Sequence, residues 1–116
     1  MLDPAFLSQL SSASGPMPLA DLIYRKSESV SKISKINLIC SERAGNRFIV
    51  CFVETPSPND ARNLAEHWGA TVFGEQEIAF ELPRPGNFDC KPFRREYDAA
   101  LPIRIVFDCL PSRSHP

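Results

Sequence analysis

Residues 35–54 read KINLICSERAGNRFIVCFVE, and the second run, RFIVCFVE, constrains the fold more than any other stretch. Phe48, Val50 and Phe52 alternate with Ile49, Cys51 and Val53, so a strand here is apolar on both sides. Upstream, Ile36, Leu38 and Cys40 alternate with Asn37, Ile39 and Ser41 and lead into Arg43-Ala44-Gly45-Asn46, a turn-forming cluster. The two runs therefore predict a β-hairpin. With Ala44-Gly45 at its tip, Glu42 faces Arg47, Leu38 faces Cys51 and Ile36 faces Val53. One face then collects Ile36, Leu38, Cys40, Ile49, Cys51 and Val53. The other carries Asn37, Ile39, Ser41, Phe48, Val50 and Phe52.

Ser57-Pro58-Asn59-Asp60 reads as a helix start, with Ser57 as N-cap, Pro58 at the first helical position and Asp60 placed to close a capping box. Ala61, Leu64, Ala65 and Trp68 follow as one apolar stripe, and Gly69 supplies the stop. That stripe covers Ile49, Cys51 and Val53. Residues 71–73 and 77–82 flank Gly74-Glu75-Gln76 as a small hairpin or one bent strand, with Ile78, Phe80 and Leu82 inward and Glu77, Ala79 and Glu81 outward. Residues 92–101 are expected as a short helix burying Phe93, Tyr97 and Ala100, and residues 103–107 as a last strand after Pro102. At the other end, Asp3 and Pro4 open a short helix carrying Phe6, Leu7 and Leu10, while residues 19–24 fit either a helix or a strand. The expected division is an N-terminal helical segment and linker over 1–34, an α+β core over 35–110 and a flexible tail over 111–116. At 116 residues these form one domain.

In their order of hairpin, capped helix and amphipathic strand, residues 35–83 resemble the second half of an RNA-recognition motif. In that family a strand of the form Lys/Arg-Gly-Phe/Tyr-Gly/Ala-Phe/Tyr-Val-x-Phe/Tyr is followed by a loop, a helix with small residues on its inner face, and a fourth strand after a glycine-containing turn. Phe52-Val53-Glu54, Pro58-Asn59-Asp60-Ala61, Ala65 and Val72-Phe73-Gly74 keep that order and spacing. The resemblance implies a base-stacking face on which Phe52 lies. Val50 then takes the other stacking position and Phe48 the basic one, with Arg47 beside it. The expected fold class is α+β: an antiparallel sheet of four to five strands with helices on at least one face, ferredoxin-like, RNA-recognition-motif-like or a permuted variant.

Charge restrains the functional reading. Thirteen Lys and Arg against fourteen Asp and Glu leave a net charge of -1, so no basic excess draws the chain to nucleic acid or anionic lipid. No run approaches the roughly 18 apolar residues of a membrane span, and the start Met1-Leu2-Asp3-Pro4 has no basic region ahead of an apolar one. A soluble cytoplasmic protein with no membrane association is expected. Cys40, Cys51, Cys90 and Cys109 form no CxxC or CxxH pair and read as reduced thiols; Asp89 and Asp108, next to two of them, work against thiolate formation. His67 has no nucleophile at a predictable distance, and no phosphate loop, nucleophile elbow or HExxH helix occurs. No enzyme, no metal and no cofactor are expected.

Binding remains. The candidate residues are Phe48, Val50 and Phe52, Arg47 beside them, and Arg94 with Arg95, which together with Phe93 and Tyr97 make the densest basic and aromatic cluster. The leading expectation is a small module acting by protein–protein interaction in a larger assembly, because its second apolar face is flanked by acidic strands. One alternative is an RNA-recognition-motif-like binder of single-stranded nucleic acid through Phe48, Phe52 and the Arg94-Arg95 patch. Another is a small acidic regulator or inhibitor resting on Glu75, Glu77 and Glu81. Protein, either the chain's own N-terminal segment or a partner, is expected to cover Phe48 and Phe52.

Overall fold

A computed structural model describes residues 2–84, 86, 88, 93–95 and 103–109. β1 (Lys35–Arg43) and β2 (Asn46–Glu54) pair antiparallel in the register set by the Ala44-Gly45 tip, with Glu42 opposite Arg47, Leu38 opposite Cys51 and Ile36 opposite Val53. Ala44 and Gly45 both take positive φ, 53° and 81°, which gives a two-residue turn whose twist matches that of the strands it joins.

The helix after this hairpin is α3 (Pro58–Trp68). Ser57 Oγ accepts from the Asp60 N–H at 3.2 Å, and Gly69 ends the helix in the left-handed region at φ 72°. The cap closes through side chains: the Ser57 hydroxyl donates to Asp60 Oδ2 at 3.0 Å, and the Ser31 hydroxyl donates to Asp60 Oδ1. Asp60 thereby ties an N-terminal loop to the start of α3. β3 (Thr71–Phe73) and β4 (Glu77–Pro83) make the small hairpin, and β4 lies antiparallel along β2 with Ile78 opposite Val53 and Leu82 opposite Ile49. Buried Thr55 secures the corner. Its hydroxyl lies 2.7 Å from the Ser57 carbonyl and 2.9 Å from the Gln76 carbonyl, and Gln76 Nε2 donates back to the Thr55 carbonyl at 2.7 Å.

Two more helices precede the sheet, α1 (Pro4–Leu10) and α2 (Pro16–Glu28). The stretch 19–24, open between helix and strand from its pattern, is the middle of α2. Pro16 stands at its start and Pro18 still within its first turn, where the missing N–H costs nothing. α1 is seated by aromatic contact: Phe6 stacks on Trp68 at 4.1 Å between ring centroids and meets Phe80 edge-on at 5.7 Å. The Asp3 N–H also donates to the Trp68 carbonyl at 2.7 Å.

Beyond β4 the sheet departs from expectation. Phe93–Arg95 is a strand, β5, rather than part of a helix; the rest of the expected helix over 92–101 lies outside the described residues, as does the tail over 111–116. β6 (Arg104–Cys109) runs parallel to β1 and pairs antiparallel with β5. Among the described residues the sheet therefore has six strands in the order β3-β4-β2-β1-β6-β5, and it is mixed, not the antiparallel sheet of four to five strands expected. The reason is directional. β4 runs in the same direction as β1 with β2 between them, β5 makes the return pass, and β6 then enters beside β1 in the same sense. A three-residue Phe-Arg-Arg segment is ambiguous between helix and strand, and pairing with the edge of β6 decides it.

Among the described residues, the three helices occupy one side of the sheet. Phe6, Leu10, Leu19, Ile23, Leu64 and Trp68 belong to a single cluster with Ile36, Leu38, Ile49, Cys51, Val53, Phe80 and Phe107. The N-terminal segment thus joins α3 instead of covering Phe48 and Phe52.

Candidate interaction face

The opposite side of the sheet follows from strand alternation. Ile39, Phe48, Val50, Phe52 and Ala79 point away from the helices, and each is half-buried, held in place by its strand neighbours. Phe73 on β3 extends this surface: its ring lies 5.2 Å from that of Phe52 and the residue is 53% exposed. Arg43 closes the other end. Its guanidinium sits 4.3 Å above the Phe48 ring and donates to Glu81 at 3.1 Å. Arg43, Arg47, Phe48 and Glu81 line a shallow hollow of about 420 Å³. Toward β6 the face shuts off from solvent: Val106, opposite Asn37, is 8% exposed, and Asn37 Oδ1 is buried with no hydrogen-bond partner among the described residues.

The charges on this face are ordered. One cross-strand row runs Glu77 on β4, Glu54 on β2, Lys35 on β1 and Arg104 on β6, so two acids are followed by two bases. Like charges directly opposite each other oppose strand pairing. Partial burial, and then the charge of Glu54, hold the Glu77 carboxyl above its usual range, with Lys35 pulling the other way. Glu54 thus stands between a like charge on β4 and an opposite one on β1.

The sequence-predicted residues are placed unevenly. Phe48, Val50 and Phe52 share the open face, whereas Arg47, one residue out of phase with them in β2, is exposed near the hairpin tip. Arg94 and Arg95 lie in β5, opposite Val106 and Ile105, three strands from β2 and hence about 14 Å away across the sheet. Phe73 and Arg43 escaped the sequence reading because one sits in a three-residue strand and the other looks like turn punctuation.

Elsewhere the chemistry is quiet. Cys40 and Cys51 are fully buried, and burial pushes the Cys51 thiol far up, which keeps it protonated and unreactive. Cys90 and the Cys109 side chain lie outside what is described. His67 is exposed on α3, and among the described residues no group of three His, Cys, Asp or Glu is placed to hold a metal ion. Among them, too, no helix is long and apolar enough to cross a membrane. A second hollow, of about 680 Å³, lies between the helices with Phe6 and Trp68 as its floor and Lys26 and His67 at its rim. Its floor is already spent on stacking α1 against α3.

No family model matches the chain, and no curated protein or solved structure is found similar to it. The open face has to be read from its own chemistry.

Proposed function

We propose that this protein is a small non-enzymatic binding module that docks another protein surface on the open face of its sheet. One observation carries the reading: among the described residues three helices crowd one side of the sheet, while Phe48, Val50, Phe52 and Phe73 lie together on the other with none of these helices over them. An apolar patch rimmed by Glu54, Glu77 and Glu81 on one flank suits a partner that brings apolar side chains and cations. A photo-reactive benzophenone side chain placed at position 50 should therefore form a covalent adduct with protein in the native cell, whereas the same group at exposed position 62 on α3 should not. Equal yields at the two positions, or none at position 50, contradict the reading.

The Phe52–Phe73 ring pair favours one second reading, a stacking platform for single-stranded nucleic acid in the manner of an RNA-recognition motif. Two features weigh against it. Glu54 and Glu77 border the rings where phosphate would run, and β4 pairs directly with β2 where a split β-α-β unit keeps a further strand between them. On that reading the position 50 adduct carries nucleic acid, and binding to mixed-sequence RNA falls steeply with added salt.

A further inference from the structure

We infer that β3, an outer edge of the sheet, pairs with β3 of a second copy of this chain about a two-fold axis perpendicular to the sheet at Val72. This surface is separate from the open face, and the inference goes beyond the docking reading above.

Backbone groups come first. At the two ends of the β2–β4 ladder the Thr55 N–H donates to the Gln76 carbonyl at 2.8 Å and the Arg84 N–H donates to the Arg47 carbonyl at 3.1 Å. Bonded and non-bonded pairs alternate in an antiparallel ladder, so the even-numbered residues of β4 bond to β2, while Glu77 and Ala79 turn their N–H and C=O groups toward β3. Phe73 and Thr71 stand opposite them. The N–H and C=O of Val72 therefore point outward, and among the described residues β3 is the last strand on that side.

The side chains agree. Among the described residues, Val72 at 41% and Phe73 at 53% are the exposed large hydrophobics, and both lie in this three-residue strand. Sheet edges are commonly guarded by charge, proline or a bulge. Thr71-Val72-Phe73 has neither charge nor proline and keeps an unbroken register with β4, whereas β5 at the other edge carries Arg94 and Arg95.

Self-complementarity selects the occupant. The axis sets Val72 opposite Val72 of the second copy as a bonded pair, each N–H donating to the other C=O, and places Phe73 opposite Thr71 on the open-face side. Continued outward, the register sets Gly74 opposite Ala70 and Glu75 opposite Gly69. Large residues thus meet small ones, and residues 69–74 bring no charge to the seam. Glu81, next along the Gly69 row, lies two strand spacings, about 10 Å, from Glu75 of the second copy and is already bonded to its own Arg43. A strand of unrelated sequence would use the Val72 groups without needing this alternation. The axis also keeps the helices of both copies on one side and sets their Phe52–Phe73 ring pairs in one apolar band. A seam this short holds weakly, with Kd on the order of 0.1 mM.

Sedimentation of the full chain from micromolar to millimolar concentration tests this, with the wild type passing from the mass of one chain toward that of two. Val72→Pro removes the outward donor and no bond to β4, and proline is tolerated on an outer edge; the variant should stay folded by circular dichroism and associate at least about tenfold more weakly. In the wild type the Val72 amide should exchange hydrogen rapidly when dilute and several-fold more slowly as the dimer forms, a readout independent of the variant. A single-chain mass at every concentration assigns the edge to a different strand or to none and overturns the pairing. A folded Val72→Pro that associates like the wild type, or a dimer with unchanged exchange at Val72, overturns it equally. Val50 lies two strands inside this edge, so loss of the dimer leaves the position 50 adduct expected, and loss of the adduct leaves the edge pairing standing.

Discussion

Replacing Trp68 with alanine is expected to lower the free energy of unfolding by roughly 3 to 5 kcal/mol. Trp68 is 3% exposed, stacks on Phe6 at 4.1 Å and meets Phe80 at 6.2 Å, so its removal opens a void between α1, α3 and β4 at once. The loss should not spread evenly. α1 has seven residues, too few to hold a helix by its own hydrogen bonds, and its seat on the core is the Phe6–Trp68 stack together with the Asp3 N–H bond to the Trp68 carbonyl. In Trp68→Ala the amides of α1 should lose hydrogen-exchange protection well before those of β1 and β2. Urea unfolding followed by circular dichroism gives the total, and exchange gives its distribution. A loss near 1 kcal/mol, or α1 protection unchanged, would mean that the aromatic trio does not hold α1.

The second large effect comes from two neighbours in one strand. Cys51 is fully buried among Ile, Leu and Val on the helix side, and Phe52 is half-buried on the other. Cys51→Asp places a carboxylate in an apolar interior with no cation to meet it. That costs several kcal/mol, a large part of the roughly 5 to 15 kcal/mol that a domain has. No cooperative thermal transition is expected from that variant at neutral pH. Phe52→Asp forfeits the contact with Phe73 and adds a charge near water, and it should remain folded with a loss of about 1 to 2 kcal/mol. Melting curves of the two variants side by side decide it: equal damage would place Phe52 in a core and remove the open face.

Much of the centre of this fold is legible in the sequence for local reasons. A period-two pattern on both arms fixes the register of β1 and β2 once Ala44-Gly45 is taken as the tip, since a slip of one residue exchanges the faces. α3 is legible because Ser57, Pro58 and Gly69 mark both ends and Ala61, Leu64, Ala65 and Trp68 supply the stripe. What escapes is decided at long range. β5 is three residues whose strand state depends on the edge of β6, and the parallel entry of β6 depends in turn on β5. α2 hides behind Pro16 and Pro18, which read as breakers unless they stand in a first turn.

The choice of face for the N-terminal helices is a further case. Both faces of β2 are apolar, so composition does not choose between them. Trp68 and Phe80 supply the aromatic seat for Phe6 only on the side that α3 already occupies. The candidate surface is correspondingly half legible. Phe48, Val50 and Phe52 follow from alternation, while Phe73 and Arg43 come to them through strand pairing and side-chain reach.

The central claim is that the face bearing Val50 is open in the isolated chain and occupied when the protein works. Thiol labelling of Val50→Cys, read by mass spectrometry at that site, tests both halves. In dilute purified protein the new thiol should react promptly while Cys40 and Cys51, fully buried, stay unmodified until the chain unfolds. In the native cell the thiol at position 50 should be protected several-fold or more, as an occupied interface requires. Slow labelling in the dilute chain, or labelling in the cell as fast as in dilute solution, would contradict the account.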